Sequence, residues 1–150
     1  MQFHRQIRVD CTPEALWRCL TEVELLKNWV SNLVDETPND PTRTQGVGVK
    51  STMKMREGKK IVAYQSEVTE WAPKRRLAIR LSGGSFTKDL VVDVAYELSQ
   101  DNINTTLLDY DVTVPVRGFW FKLLGPLVRM IAYFAAKKDL SRLQALAPTI

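Results

Sequence analysis

Apolar and polar residues alternate almost without interruption from position 49 to position 114. Val49, Ser51, Met53 and Met55 alternate with Lys50, Thr52, Lys54 and Arg56, and Glu57-Gly58-Lys59 then turns the chain. Val62, Tyr64, Ser66 and Val68 stand against Gln65, Glu67 and Thr69, and Leu77, Ile79 and Leu81 against Ala78 and Arg80. After the loop Ser82-Gly83-Gly84-Ser85, Leu90, Val92, Val94, Tyr96 and Leu98 oppose Asp89, Asp93 and Glu97. Gln100-Asp101-Asn102 turns again, and Thr106, Leu108, Tyr110, Val112 and Val114 oppose Asp109 and Asp111. A period of two marks half-buried strands, and strands joined by short turns pair with their neighbours. The pattern predicts a five-strand antiparallel meander with one wet face and one apolar face. The apolar face carries a few hydroxyls: Ser51, Tyr64, Ser66, Tyr96, Thr106 and Tyr110.

The segment before the meander changes period. Phe3, Ile7 and Val9 predict a first strand. Thr12-Pro13-Glu14 supplies a capping hydroxyl, a proline at the first helical position and an acid in the first turn, so a helix starts there and buries Leu16, Trp17 and Leu20. A second short helix runs from Val23 to Trp29, a short strand follows at Leu33 to Thr37, and Pro38-Asn39-Asp40-Pro41 is a surface loop.

After the meander, Gly118 to Leu146 reads as a helix of about eight turns. From Gly118 to Ala136 its only charges are Lys122 and Arg129, so it is apolar around most of its circumference and needs cover on more than one side. A curved sheet covers one side, and a helix lying in the mouth of that sheet encloses a cavity. Crossing a membrane is disfavoured, because each of the two cations costs roughly 2.5–3.5 kcal/mol near the bilayer centre. Two helical phases are open. One, through Leu143, Leu140, Ala136, Tyr133 and Arg129, aims the guanidinium at the cavity. The other, set by Trp120, Leu123, Leu127, Met130, Ile131 and Phe134, puts it in water. Either phase leaves apolar surface on the 118–136 stretch for the loops and short helices, a homodimer contact or a peripheral membrane contact to cover.

Composition adds limits. A chain of 150 residues makes one domain, and 45% hydrophobic with 25% charged residues is ordinary for a globular protein. The net charge of +4 comes with scattered basic pairs and no nucleic-acid motif, so no nucleic acid is expected as partner. The N-terminus lacks an apolar signal region, which gives a cytoplasmic expectation. Cys11 and Cys19 have no metal-type spacing and read as reduced structural thiols. Nothing matches a catalytic triad, a zinc cluster or a phosphate loop, and Gly46-Val-Gly48 is too short for a dinucleotide fingerprint. No metal and no cofactor is expected. The acids Asp93, Glu97, Asp109 and Asp111 fall on the wet face, Glu70 falls inward as a possible partner of Arg129, and His4 reads as solvent-facing or structural. The inward tyrosines Tyr64, Tyr96 and Tyr110 remain as catalytic candidates or as amphipathic core residues.

The order of elements resembles the START/Bet v 1-like superfamily, including its polyketide cyclase/dehydrase-like branch. The stretches that carry the resemblance are Ile7-Arg-Val-Asp-Cys-Thr-Pro-Glu-Ala-Leu-Trp17, Trp29, Gly46-Val-Gly48, Val68-Thr-Glu-Trp-Ala-Pro-Lys-Arg-Arg-Leu77 and Asp139-Leu-Ser-Arg-Leu143. It spans essentially the whole chain and implies an α+β helix-grip fold. A curved antiparallel sheet of six or seven strands would wrap a long C-terminal helix, with two short helices after the first strand. It also implies a ligand between sheet and helix, without naming it, because relatives include lipid carriers, hormone receptors, quinone-binding proteins, cyclases and co-chaperones. The expected lining is Trp29, Met53, Met55, Tyr64, Ser66, Leu77, Ile79, Val92, Tyr96, Leu108, Tyr110, Leu127, Arg129, Met130, Tyr133 and Phe134. The leading expectation is non-covalent binding of a hydrophobic small molecule or lipid. A cyclase, aromatase or dehydratase using the same cavity is the alternative, and a protein-interaction module the third.

Overall fold

A computed structural model describes residues 2–84, 91–114 and 136–150. The chain begins with β1 (Gln2–Val9), then α1 (Pro13–Thr21) and α2 (Val23–Trp29). Six more strands follow: β2 (Leu33–Pro38), β3 (Lys50–Glu57), β4 (Lys60–Ala72), β5 (Arg76–Gly83), β6 (Val91–Asn102) and β7 (Thr105–Thr113). A helix over residues 136–146, here α3, and a short 3-10 turn at Ala147–Thr149 close the chain. The expected helix-grip arrangement is present, with seven strands. Leu127, Arg129, Met130, Tyr133 and Phe134 lie outside the described residues, as do Asp89, Leu90, both phases of Arg129 and the apolar stripe of 118–135. Among the described residues no helix is long and apolar enough to cross a membrane.

The sheet is antiparallel throughout, in the order β1-β7-β6-β5-β4-β3-β2. Only α1 and α2 separate β1 from β2 in sequence, yet those strands form opposite edges. The two helices therefore bridge the open side of a curved sheet. Thr12 starts α1 as its composition predicts: the side chain accepts from the Ala15 N–H at 3.3 Å, and Pro13 occupies the first turn. The indole N–H of Trp29 donates to the Cys19 carbonyl at 2.8 Å, in a buried contact that fixes α2 against α1.

On the outer face the charges pair across strands. Arg76 binds Glu70 and reaches Glu97 at 3.0 Å, Arg80 binds Asp93 at 2.8 Å, and His4 Nδ1 lies 2.7 Å from Asp111 Oδ1. Glu70 corrects an expectation. The ladder slips between Val68 and Glu70, so Val68 and Trp71 both face in while Thr69 and Glu70 share the outside. One extra residue in a strand inverts the parity beyond it, which takes Glu70 away from the interior.

The inner face is solid at one end. Ile7, Leu108 and Leu98 align across β1, β7 and β6, and Leu16 and Leu20 from α1 and Leu140 and Leu143 from α3 pack onto them. Leu16, Leu108 and Leu143 keep no exposed surface. The Thr106 hydroxyl, one of those on the predicted apolar face, donates to the Cys11 carbonyl at 2.8 Å in this packed region. Cys11 and Cys19 are free and buried, and burial pushes both thiols up to about 11.

Candidate functional site

Beyond the solid end, the inner face and the helices separate around a cavity of about 390 Å³. Its floor comes from alternate residues of β3 to β7: Ser51, Met53 and Met55, then Ser66, Val68 and Trp71, then Leu77, Ile79 and Leu81, then Val92, Val94 and Tyr96, then Tyr110 and Val112. Leu20, Thr21, Val23, Leu26, Trp29 and Val30 from the two short helices form one wall, and Ala136, Asp139 and Leu140 of α3 another. Glu36 and Pro38 of β2 complete the described rim. Among the described residues, the buried helix side chains Leu16, Leu140 and Leu143 gather at the Leu108 end, while the long strands β4 and β6 continue past it.

Nine of the residues expected around a ligand border this one cavity: Trp29, Met53, Met55, Ser66, Leu77, Ile79, Val92, Tyr96 and Tyr110. Two others are placed elsewhere. Leu108 points inward but sits at the packed end, fully buried by helix residues. Tyr64 also points inward, yet its hydroxyl donates to Glu57 and its ring lies under Gly84, bordering a separate cleft of about 290 Å³ with Met53, Met55 and Leu81. Gly84 has φ of +59° and a Cβ there would run into the Tyr64 ring, so only glycine lets the strand end close over the phenol.

The polar groups of the cavity were only partly foreseeable. Tyr96 and Tyr110 stack in a tilted pair with ring centroids 5.3 Å apart, and Trp29 meets Tyr96 edge-on at 6.3 Å. Burial is the main cause that holds both phenols protonated, with Tyr110 pushed up to about 12 and Tyr96 well above its ordinary value. They are therefore hydrogen-bond donors under physiological conditions. Ser66 is buried and offers a further hydroxyl.

Two acids also line the cavity, and sequence parity did not point to either. Asp139 accepts from the Ser31 backbone N–H at 3.1 Å and from the Ser31 hydroxyl, tying α3 to the residues after α2. Glu36 stands opposite Met53 in the β2–β3 ladder and shares its inward face. A slip between Leu33 and Asp35 places it there: counting alternately from the buried Leu33 puts Asp35 inside and Glu36 outside, and the irregularity reverses both. Burial, then the neighbouring Asp35, raises the Glu36 carboxyl above its ordinary value. Among the described residues no three His, Cys, Asp or Glu gather as metal ligands.

Comparison with known proteins places this geometry. A family model described as "Polyketide cyclase / dehydrase and lipid transport" matches residues 1–147. No curated protein matches the chain. Solved structures do. A START superfamily protein from Mycobacterium smegmatis is 14% identical with a TM-score of 0.74, over 99% of this chain and 97% of that one. A conserved protein from Geobacillus kaustophilus is 15% identical with a TM-score of 0.76, over 99% and 96%. The ZhuI aromatase/cyclase from Streptomyces sp. R1128 is 12% identical with a TM-score of 0.71, over 98% and 93%. At these identities the likeness is one of fold.

Proposed function

Because the chain belongs to the polyketide cyclase/dehydrase and lipid transport family, we propose that it holds a hydrophobic small molecule or lipid, without covalent chemistry, between its sheet and its C-terminal helix. The observation that carries this reading is the cavity of about 390 Å³, walled mainly by Leu, Ile, Val, Met and Trp side chains. Apolar walls provide affinity by removing ligand surface from water, and a few fixed polar groups set orientation. Ser66, Tyr96 and Tyr110 are placed to do the second.

Uptake of Nile red, a neutral apolar dye, tests the reading directly. Wild-type protein is expected to bind the dye saturably with a blue-shifted emission. Ser66→Leu, which adds apolar volume inside the cavity, is expected to reduce uptake while the protein stays folded. Absence of saturable uptake, or uptake indifferent to Ser66→Leu, refutes the reading. Native mass spectrometry of the purified protein would give the mass of any guest it retains.

A second reading, an enzyme of the cyclase, aromatase or dehydratase type, is favoured by one observation: Glu36 brings a titratable group into the cavity that Tyr96 and Tyr110 also line. The two readings separate on Tyr96→Phe, Tyr110→Phe and Glu36→Gln. A carrier releases the guest with unchanged mass from every variant. An enzyme converts it, and loses turnover with at least one variant.

A further inference from the structure

The register of the sheet sorts the polar groups of the cavity into two places. Ser51 and Ser66 are directly opposed on β3 and β4, and Glu36 on β2 stands opposite Met53, one diagonal step from Ser51. Opposed side chains lie about 5 Å apart and diagonal ones about 7–8 Å, so two hydroxyls and a carboxyl share one patch. Tyr96 and Tyr110 are directly opposed on β6 and β7 with ring centroids 5.3 Å apart. Arg5 stands opposite Tyr110 on β1 with a buried guanidinium nitrogen, so this second patch is rich in donors. Between the two, β5 lends the lining only Leu77, Ile79 and Leu81. The remaining polar groups of the described lining are engaged within the chain: the Thr21 hydroxyl donates to the Trp17 carbonyl at 2.8 Å, and Asp139 accepts from Ser31.

The patches are too far apart for one head group. Leu81 is opposite Ser66 and Leu77 opposite Tyr96, so the path between them crosses two strand spacings and runs from Leu81 to Leu77 along β5, about 16 Å in all. Curvature shortens that distance across the hollow. Burial is the first cause of the raised Tyr96 phenol, and the Glu36 carboxylate still contributes to it from four places away in the strand order. A guest with one polar end fills one patch and lays hydrocarbon on the other, which strips water from hydroxyls that then have nothing to bond. We propose that the guest carries hydrogen-bonding groups at both ends of an apolar body, one held by Ser51, Ser66 and Glu36 and the other by Tyr96 and Tyr110, so that two-ended molecules are favoured over single-headed amphiphiles of the same length. The serine and glutamate end takes a hydroxyl, and the phenol end an oxygen that can accept, a hydroxyl or a carbonyl. The proposal rests on the hydrophobic-ligand reading above and deepens it.

Displacement of bound Nile red by decan-1-ol and by decane-1,10-diol, which share one chain and differ in the second hydroxyl, tests it. In wild type the diol is expected to displace the dye at a concentration no more than about threefold above that of the alcohol, because its second hydroxyl reaches the second patch. In a cavity with one patch that hydroxyl is buried without a partner, and the diol is weaker by about tenfold or more. In the double variant Ser51→Ala with Ser66→Ala, and separately in Tyr96→Phe with Tyr110→Phe, the diol is expected to fall about tenfold behind the alcohol, with melting curves confirming that each variant folds. The ratio of diol to alcohol within one protein cancels any change in dye affinity. A diol more than about threefold weaker than the alcohol in wild type overturns the proposal without any variant, as does failure of both to displace the dye. So does a ratio that either folded variant leaves unchanged. Failure of Nile red to bind at all removes the hydrophobic-ligand reading, and the two-ended site with it. Dye binding with the diol trailing removes only the site.

Discussion

Leu108 and Ile79 face the same side of the same sheet, and truncating each to alanine tests whether that side is divided into a filled end and a hollow end. Leu108 has 0% exposure and touches side chains from three directions: Ile7 and Leu98 beside it and the helices above. Leu108→Ala removes three carbons from a packed site, which costs about 3 kcal/mol, within the roughly 2–5 kcal/mol range for leucine truncations. Ile79 borders the cavity, so one side of it already lacks protein contacts. The wall atoms lose less, and Ile79→Ala should cost about 1–1.5 kcal/mol. For a chain of 150 residues a loss of 1 kcal/mol moves Tm by about 2–4 °C. The midpoint of thermal unfolding should then fall by about 6–12 °C for Leu108→Ala and by about 2–6 °C for Ile79→Ala. Nile red binding should respond in the opposite order, changing with Ile79→Ala and not with Leu108→Ala. Equal losses of stability, or dye binding more sensitive to Leu108 than to Ile79, would refute the division.

Three further outcomes follow from the same structure. Glu36 has a raised folded-state pKa, so the stability it contributes is present below its ordinary value of 4.5 and is lost as pH rises through the folded value. The denaturant midpoint of Glu36→Gln should therefore gain on wild type from about pH 4.5 upward and level off once the wild-type carboxyl is ionised; a difference constant from pH 4 to pH 8 contradicts this. Thr106→Val leaves the buried Cys11 carbonyl without its donor and should cost about 1–3 kcal/mol in chemical denaturation, whereas a loss too small to measure would mean the carbonyl finds another partner. Cys11 and Cys19, with thiols pushed to about 11, should react with iodoacetamide at pH 8 only as fast as the native structure opens; rapid labelling of both would place them nearer to solvent than they stand.

Much of the architecture was legible because its signals are local. Alternation from Val49 to Val114 names the inward face of each strand, and Thr12-Pro13 announces the first helix without any tertiary information. Alternation fails wherever a strand contains an extra residue: it assigned Glu70 inward, and it gave Glu36 no face at all. The slip at β4 sends Glu70 outward to Arg76, and the slip at β2 brings Glu36 inward beside Met53. No residue type in Leu33-Val34-Asp35 or Val68-Thr69-Glu70 marks a bulge, since neither contains the glycine that often does. Parity is also silent on height along a strand. Leu108 and Tyr110 are both inward on β7, yet Leu108 is packed against Leu16, Leu140 and Leu143, whereas Tyr110 lines the cavity that the same helices wall. Tyr64 was misplaced for a third reason: its partner Glu57 sits beyond a turn, and Gly84 closes over it from another strand.

These departures bear on function more than the agreements do. A residue where local pattern and final position agree is explained by folding, and most of the cavity wall is of that kind. Glu36 is not: an apolar residue in its place would pack against Met53 without an ionisation cost, and the slip in β2 serves no evident purpose in the ladder. The packed end around Leu108 and Leu140 gives the domain enough buried surface to carry one unfavourable group elsewhere. A purely hydrocarbon guest would leave the Glu36 carboxyl more deeply desolvated than the empty cavity does, so a guest with a polar end suits this lining better.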